Sequence, residues 1–282
     1  MTGSGKTTFI SKLTRRDLKI GHNLESCTQD IEVIDAKLGD YTVHMIDTPG
    51  FSDTHRSDTE ILETIAEYLA VAYSKDIRLS GIIYLHPISD NRVTHQSIKN
   101  LKMFQKLTGT DNVKGVVLVT SMWDKVSVEE GARHEKELQA KFWNILIACG
   151  AHCSRYDGST ESAKRIVSMF IGKEPFYAQL QEEIGKHNKA LKDTAAGKEV
   201  MAELSRIKEQ HRAELEDMQK MMLQTSAQQN EAAVAALKQH YHNMLQDMEK
   251  LRADEKRMNE EAVQSLNARI ESLENRGSCA VM

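Results

Sequence analysis

The first eight residues, MTGSGKTT, constrain the fold of this chain more than any other stretch. Gly5, Lys6 and Thr7 match the second half of the pattern G-x-x-x-x-G-K-[ST], and the amphipathic pattern TTFISKLTRR follows at once. The backbone N–H groups of such a loop, and of the helix that follows it, form a cradle for anions. The motif therefore predicts a phosphate-binding loop. The buried strand and the first glycine that normally belong to it would precede Met1, so we expect the chain to begin late and to lack the first strand of its sheet.

The chain has two parts of different character. All three prolines lie at or before Pro175, where β-branched runs alternate with amphipathic helical patterns. That alternation predicts βαβ units and an α/β domain with a mostly parallel sheet. The predicted strands are IEVIDAKL, YTVHMID, GIIYLHPI and GVVLVTS. The predicted helices are Thr7–Thr14, Asp58–Ala72, Thr94–Leu107, Val128–Ile147 and Ser159–Phe170.

The stretch from Lys198 to Arg276 contains neither glycine nor proline and is rich in helix-forming residues, which predicts a long helix. Its apolar residues recur at steps of about 3.5 residues, and this period predicts a left-handed coiled coil. At about 1.5 Å per residue, an unbroken helix would span roughly 110 to 120 Å. The seam includes Val234, Leu237, Tyr241, Met244, Met248 and Leu251.

Two slips of register, with His211 and Glu255 at seam positions, leave the partner of this helix open. The alternatives are a dimeric coiled coil, an antiparallel pairing, and a single amphipathic helix that folds back on the globular part. The predicted organisation is a nucleotide-binding domain at 1–174, a helical linker at 175–198, a coiled coil at 199–275 and a short tail at 276–282.

Charge and cysteine usage exclude several classes of protein. The net charge of −4, with acids and bases interleaved, provides no basic surface for nucleic acid, so we predict no nucleic-acid partner. The four cysteines lack the spacing of zinc sites or of a disulfide framework, which favours reduced thiols. There is neither a secretory signal nor an apolar run of roughly 20 residues, so we expect a cytoplasmic protein whose polypeptide does not cross a bilayer.

The stretch DTPG, from Asp47 to Gly50, directly follows the predicted strand YTVHMI. Ligands of parallel sheets bind at the carboxyl ends of the strands. In that place Asp47 can hold Mg²⁺ through water, while the Gly50 N–H meets a γ-phosphate. In the phosphate-binding loop, Lys6 would reach the β- and γ-phosphates and the Thr7 hydroxyl would bind Mg²⁺. DTPG alone would be an ordinary turn, and its position after a phosphate-binding loop favours the functional interpretation.

Two further motifs complete the pattern. CTQDIEV contains Thr28 just before a strand, and TSMWD, from Thr120 to Asp124, comes just after one. In this order the four motifs resemble those of the Ras-like GTPase superfamily, over about the first 170 residues. More narrowly, they look like the septin and chloroplast-import-receptor class. Within it, they are similar to the immunity-associated nucleotide-binding GTPases and to predicted fungal G-domain proteins with coiled-coil tails.

The resemblance implies a Ras-like P-loop GTPase domain that binds GTP or GDP together with Mg²⁺. The implied Mg²⁺ ligands are Thr7, Thr28 and, through a water molecule, Asp47. The implied nucleotide-binding residues are Gly3, Ser4, Gly5, Lys6, Thr7, Thr8, Thr28, Asp47, Gly50, Thr120 and Asp124.

The same resemblance implies that Asp124 recognises guanine, because its carboxylate would accept hydrogen bonds from N1 and N2 groups that adenine cannot offer. The chain departs here from the family pattern N/T-K-x-D. Ser121 stands in place of Asn or Thr, and Met122 replaces the lysine whose stem covers the base. The later string RYDGSTESAK lies where the base-capping loop is expected. Within it we expect Arg155 to Gly158 to face the base, and SAK to belong to the final helix.

Small GTPases orient the attacking water with a glutamine directly after the DxxG glycine, and Phe51 holds that place here. An apolar ring cannot orient water by hydrogen bonds, so we predict slow GTP hydrolysis. Ser52, Asp53 and His55, in the loop that follows, are the catalytic candidates. The resemblance implies another source, a partner molecule that meets the site across a dimer interface. We therefore expect a homodimer, formed through the G domain, the coiled coil or both.

The last four residues, Cys279-Ala280-Val281-Met282, fit the C-a-a-X prenylation box, and a terminal Met is typical of farnesylation. One farnesyl chain anchors a protein only weakly, and a coiled-coil dimer would supply a second. The sequence thus predicts peripheral attachment to the cytosolic face of a membrane through farnesyl-Cys279.

These motifs leave three functions in competition. The first is a slow, dimerising, membrane-tethered GTPase that acts as a switch or scaffold. The second is a coiled-coil interaction protein whose nucleotide-binding domain is degenerate, because the first strand and the first glycine of the loop are absent. The third is an ATP-dependent enzyme, which requires Asp124 to be incidental.

Overall fold

The computed structural model describes residues 3–14, 31–51, 56–90, 93–227 and 231–260. The strands are β1 (Glu32–Leu38), β2 (Tyr41–Asp47), β3 (Ile82–Pro87), β4 (Val116–Ser121) and β5 (His152–Arg155). The α-helices are α1 (Lys6–Thr14), α2 (Asp58–Ser74), α3 (His95–Thr108), α4 (Val128–Glu137), α5 (Asn144–Ala148), α6 (Thr160–Ser168), α7 (Gln179–Gly185), α8 (Ala195–Ala227) and α9 (Glu231–Glu260).

The described strands form two sheets. β1 and β2 pair as an antiparallel hairpin, in which Glu32 faces Asp47 and Leu38 faces Tyr41. Gly39 makes the turn between them with a φ of 61°, which side chains disfavour. β3, β4 and β5 run parallel in that order, as expected for strands joined by crossover helices. The predicted α/β class is confirmed, and the antiparallel hairpin adds to the predicted parallel sheet.

The four predicted strands are all present, within one residue at each end. β5 was not predicted, because its sequence HCSR is short and polar. It forms by parallel pairing with β4, where Val117 faces His152 and Thr120 faces Arg155. A strand of this kind depends on its neighbour rather than on a pattern of its own.

Helices cover both faces of the parallel sheet, so β4 is buried along its whole length. On one face, Val117 packs with Phe9 of α1 and Ile166 of α6. On the other face, Leu118 packs with Trp143 and with side chains of α3. The central strand is therefore held rigidly at the place where the TSMWD motif begins.

The helices predicted around Thr7, Asp58, Thr94 and Ser159 are confirmed. The single helix predicted at Val128–Ile147 is wrong: the chain forms α4, a π-helical turn at Leu138–Phe142, and the short α5.

The break has a packing cause. The Trp143 N–H donates to the Leu138 carbonyl at 2.8 Å, five residues back rather than four. The extra residue brings Leu138, Trp143 and Leu146 into one buried cluster, which a regular helix would not do for Trp143. Tertiary packing therefore overrides the continuous helical pattern of the sequence.

The C-terminal helices form an antiparallel pair. Gln219 of α8 donates to Tyr241 of α9 at 2.8 Å, and Lys208 pairs with Glu255 farther along. Between Ala195 and Glu260 the chain therefore forms two helices in place of one unbroken helix, and their antiparallel pairing is one of the alternatives that the sequence left open. Pairing within one chain buries the apolar stripes without the entropy cost of association between chains. The seam of the pair contains Leu215, Met218, Met244 and Met248.

The helical pair also packs on the globular part. Met258 of α9 is fully buried in a cluster that includes Ile61 of α2 and Val200 of α8. α7 adds Leu180 and Ile184 to the same cluster, so residues predicted as a linker contribute to the core. Of the helices that the structure describes, none combines the length and the apolar character that a membrane span requires.

Candidate nucleotide-binding site

The glycine loop and α1 have the backbone geometry of an anion-binding site. Gly3 and Gly5 have φ values of 75° and 88°, a region that residues with side chains rarely adopt. α1 begins at Lys6, and the Phe9 N–H donates to the Gly5 carbonyl at 2.8 Å. The first turn of a helix directs its N–H groups outward along the axis, which suits a phosphate.

Thr7 and Asp47 meet at the end of β2. The Thr7 hydroxyl donates to Asp47 Oδ2 at 2.8 Å, and Asp47 is buried. The bond joins the first turn of α1, directly after the glycine loop, to the DTPG stretch. Hydroxyl and carboxylate oxygens are hard ligands of the kind that Mg²⁺ prefers, so this pair fits the ion.

The described side chains do not form a metal site that is made of protein ligands alone. Within the described ranges, no cluster of three or more His, Cys, Asp or Glu side chains is arranged to hold a metal. Mg²⁺ commonly binds through one or two protein oxygens and completes its shell with water and substrate phosphates. The Thr7–Asp47 pair is therefore suited to a metal that arrives with a nucleotide.

Ser121 ties the TSMWD motif to the glycine loop. Its hydroxyl donates to the Ser4 carbonyl at 2.9 Å, and both residues are buried. Sequence reasoning considered Ser121 only as a departure from Asn or Thr and missed this role. A small hydroxyl donor at the end of a central strand, beside a predicted glycine loop, is the signal that could have found it.

The TSMWD motif turns sharply after β4. Met122 adopts the left-handed conformation with a φ of 60°, and Trp123–Lys125 form one 3₁₀ turn. Asp124 is exposed on this turn, where a base can reach its carboxylate. Thr120, in contrast, is buried in β4, where its hydroxyl accepts a hydrogen bond from Trp123 Nε1 at 3.1 Å. The structure places Asp124, but not the Thr120 side chain, at an accessible position.

The loop after β5 lies beside the TSMWD turn. The Tyr156 N–H donates to the Thr120 carbonyl at 2.8 Å. Asp157 accepts from the Ser159 N–H at 2.9 Å and from the Ser162 hydroxyl at 2.6 Å. Hydrogen bonds from these two serines lower the pKa of Asp157 to about 2. The SAK string lies in α6, so its assignment to the final helix is confirmed.

Phe51, which follows the DTPG stretch, packs into the core. Phe51 is 9% exposed, and its side chain lies in a cluster with Ile61 and Leu62 of α2. A buried aromatic ring offers no hydrogen bond to water, which agrees with the sequence argument. Lys6 and Thr8 lie in the first turn of α1, and Gly50 directly precedes Phe51. Five residues predicted from the sequence lie outside the described residues: Thr28, Ser52, Asp53, His55 and Cys279.

His86 of β3 is buried beside this site, and the sequence analysis did not identify it as a candidate residue. Its carbonyl oxygen is 3.4 Å from the Ser121 hydroxyl, and its ring meets Trp143 edge-on with centroids 6.0 Å apart. Burial lowers the pKa of His86 to about 4, because desolvation disfavours the imidazolium. His86 is therefore neutral at pH 7 and serves in packing.

Comparison with known proteins supports the motif assignment. Residues 1–122 match the model of a family described as 50S ribosome-binding GTPase. This part of the chain has a P-loop GTPase fold. No curated protein matches the chain. The narrower resemblance to septins, immunity-associated GTPases and fungal G-domain proteins is carried by the motif residues and stays a prediction.

Solved structures similar to the P-loop GTPase part are distant in sequence. Toc33 from Arabidopsis thaliana in complex with GDP and Mg²⁺ is 14% identical, with a TM-score of 0.49, over 62% of this chain and 84% of that chain. Toc33 with Mg²⁺ and GMPPNP is 16% identical, with a TM-score of 0.47, over 62% and 83%. Elongation factor SelB from Methanococcus maripaludis, in complex with the GTP analogue GppNHp, is 13% identical, with a TM-score of 0.41, over 61% and 32%.

Proposed function

We propose that this protein binds guanine nucleotides with Mg²⁺ and hydrolyses GTP slowly. The observation that carries the proposal is the pair of hydrogen bonds Thr7–Asp47, at 2.8 Å, and Ser121–Ser4, at 2.9 Å. These bonds join the glycine loop to the DTPG stretch on one side and to the TSMWD motif on the other. One nucleotide can then be held from its phosphates to its base.

Each motif has a chemical role in this proposal. Loop N–H groups and the Lys6 ammonium bind the phosphates, and the Gly50 N–H meets the γ-phosphate. The Thr7 hydroxyl would hold Mg²⁺ directly, and Asp47 would hold it through water. The ion would supply positive charge that neutralises the negative charge developing on the phosphates. Asp124 accepts hydrogen bonds from guanine N1 and N2, which gives preference over adenine.

Slow hydrolysis follows from Phe51, because a buried ring cannot position the attacking water. We propose that a second copy of the chain, paired through the G domain when GTP is bound, supplies the missing stabilisation. Turnover per molecule should then rise with protein concentration. A turnover number that is already high in dilute protein and independent of concentration would contradict this part of the proposal.

The test is binding of fluorescent GDP and GTP to the full chain, with unlabelled ATP as competitor. Lys6→Ala should weaken binding by at least about tenfold, because a charge-assisted contact to phosphate is lost. Lys12→Ala, an exposed lysine in the same helix, is the matched control. If the wild-type chain binds neither nucleotide, the interaction protein with a degenerate site is favoured. ATP competition as strong as that of GTP would favour the ATP-dependent enzyme.

We also propose membrane attachment through farnesyl-Cys279, which the C-terminal string CAVM supports. Cys279→Ser should abolish incorporation of a labelled farnesyl group and move the protein out of the membrane fraction of cells. Cys153→Ser, which replaces an exposed thiol elsewhere, should change neither. Unchanged membrane association of Cys279→Ser would contradict the proposal.

A further inference from the structure

Trp123 is held by three elements of the fold. Its indole Nε1 donates to the Thr120 carbonyl at 3.2 Å and to the Thr120 hydroxyl at 3.1 Å. The guanidinium carbon of Arg155, at the end of β5, lies 4.3 Å from the centroid of the ring, which is cation–π geometry. On α4, a Cβ atom at Gly131 would lie 2.6 Å from the ring, so the close approach of this helix requires glycine.

Arg155 is in turn held by Glu135 of α4. Arg155 Nε lies 3.0 Å from each carboxylate oxygen of Glu135, and Nη2 bonds Oε2 as well. Charge-assisted contacts with several donors fix geometry better than single ion pairs do. The Glu135 side chain is largely shielded from solvent, whereas that of Arg155 is half exposed. A chain of contacts therefore runs from Glu135 through Arg155 to Trp123.

Asp124 is exposed, so the backbone of the turn from Met122 to Lys125 determines where its carboxylate lies. Met122, on the other side of Trp123, is in the left-handed region, which is unfavourable for a residue with a side chain. Such a conformation persists where surrounding contacts hold it. Trp123 is the next residue of the turn, and its ring is held by Thr120, Arg155 and α4.

We infer that Glu135, Arg155 and Trp123 form a base brace that positions Asp124 for guanine recognition. The inference rests on the proposed function and adds to it the residues that set base specificity. Two hydrogen bonds to one base edge need the carboxylate in the plane of the base, and small displacements weaken both. Arg155 acts through Trp123 rather than by facing the base. The three are positioning residues.

The test compares the affinities of the full chain for GDP, IDP and ADP. IDP lacks the N2 amino group of guanine, so the ratio of GDP to IDP affinity measures the second hydrogen bond to Asp124, while the phosphates are the same. Arg155→Met and Glu135→Gln should each lower GDP affinity by about tenfold and bring the GDP-to-IDP ratio towards one. ADP affinity, which gains nothing from Asp124, should not change.

Three further variants sharpen the test. Glu137 also lies on α4 but pairs with Lys141 rather than with Arg155. Glu137→Gln should therefore leave the affinities for GDP, IDP and ADP unchanged. Arg155→Lys keeps the charge without the fork of donors and should recover part of the ratio. The double variant Glu135→Gln/Arg155→Met should be no worse than either single variant, because both interrupt one chain of contacts.

Quenching of tryptophan fluorescence by acrylamide, a neutral quencher, gives a readout that needs no nucleotide. The chain has two tryptophans, and Trp143 is buried, so acrylamide should mainly quench Trp123. Arg155→Met should increase this quenching, and Glu137→Gln should not.

The possible outcomes separate the two proposals. If Trp123 becomes accessible while the GDP-to-IDP ratio stays at the wild-type value, the base brace is wrong although guanine binding stands. An equal loss for all three nucleotides would indicate general damage to the site and would also contradict it. If wild type and Glu137→Gln both fail to bind GDP, the proposed function fails and the base brace fails with it.

Discussion

Arg257 of α9 lies 2.9 Å from Glu60 in the first turn of α2, so this part of α9 is fixed beside the N-terminus of α2. Ser57, the N-cap of α2, donates to Asp254 of α9 at 2.9 Å and also forms a capping box with Glu60. The hydrogen bond from Arg257 is the main cause that lowers the pKa of Glu60. The N-terminus of α2 is thus capped by its own residues and also contacts α9.

The apolar part of this contact should contribute more than the ion pair, because Arg257 and Glu60 are partly exposed. Met258 is 0% exposed, and Met258→Ala should lower the free energy of unfolding by roughly 2 to 5 kcal/mol. Urea unfolding followed by circular dichroism measures this change. Met221→Ala, at a position that is 52% exposed, should stay within about 0.5 kcal/mol of wild type. Equal effects of the two variants would show that α9 does not pack on α2 in solution.

Ser121→Ala should weaken nucleotide binding through the glycine loop. The variant removes the hydrogen bond to the Ser4 carbonyl, which contributes about 1 kcal/mol to the stability of this contact. Because the loop binds phosphates, affinities for GDP and IDP should fall together, about fivefold, with their ratio unchanged. Titration with fluorescent nucleotides measures both. Ser168→Ala, which removes a hydroxyl from the exposed face of α6, is the control. A selective loss of GDP over IDP would show that Ser121 acts on the base instead.

The elements that the sequence predicted are those with local signals. The glycine loop, the four β-branched strands and helices α1 to α3 each have a pattern that needs no distant partner. β5 has the polar sequence HCSR and exists through pairing with β4. The π-helical turn exists because Trp143 is drawn into the core. The period of the C-terminal helix predicted an apolar seam, but a seam has the same pattern whether its partner is the same chain or another.

In the candidate site, too, local features were predictable and contacts between distant residues were not. Its motifs were predictable one by one, since each is a short string. The contacts between them were not, because Ser4 and Ser121 are 117 residues apart and meet only when the sheet forms. Arg155 was expected to face the base, and its pairing with Glu135 and Trp123 depends on how α4 lies beside β5. Sequence spacing carries no information on that packing.

Stability should fall in mild acid because of His86. Burial holds its pKa at about 4, against an ordinary value of 6.5, so between these values the unfolded chain binds a proton that the folded chain does not. The free energy of unfolding should therefore decrease as pH falls from 6.5 towards 4, by about 3 kcal/mol in total. Urea unfolding at several pH values measures the slope.

His86→Phe should flatten this slope, and His240→Gln, at an exposed position in α9, should leave it as in wild type. Carboxylates with lowered pKa values, such as Asp157 at about 2, also lose stabilising effect in acid, but they are the same in wild type and in both variants. The difference in slope between wild type and His86→Phe therefore isolates His86. An unchanged slope in His86→Phe would mean that another group binds the proton.

Asp124→Asn should change the base that the protein prefers. The carboxylate accepts from guanine N1–H and N2–H, whereas an Asn amide would place a donor where guanine also has one. GTP affinity should fall by about ten- to a hundredfold, the value of one bidentate base contact. Xanthine has a carbonyl at C2 in place of the amino group, so the Asn amide can donate to it. Affinity for XTP should therefore rise in the same variant. Competition between XTP and fluorescent GDP measures this change in base preference. Asp111→Asn, at an exposed carboxylate in the loop after α3, should preserve the wild-type preference. Loss of GTP binding without a gain for XTP would indicate that Asp124 supports the turn and does not contact the base.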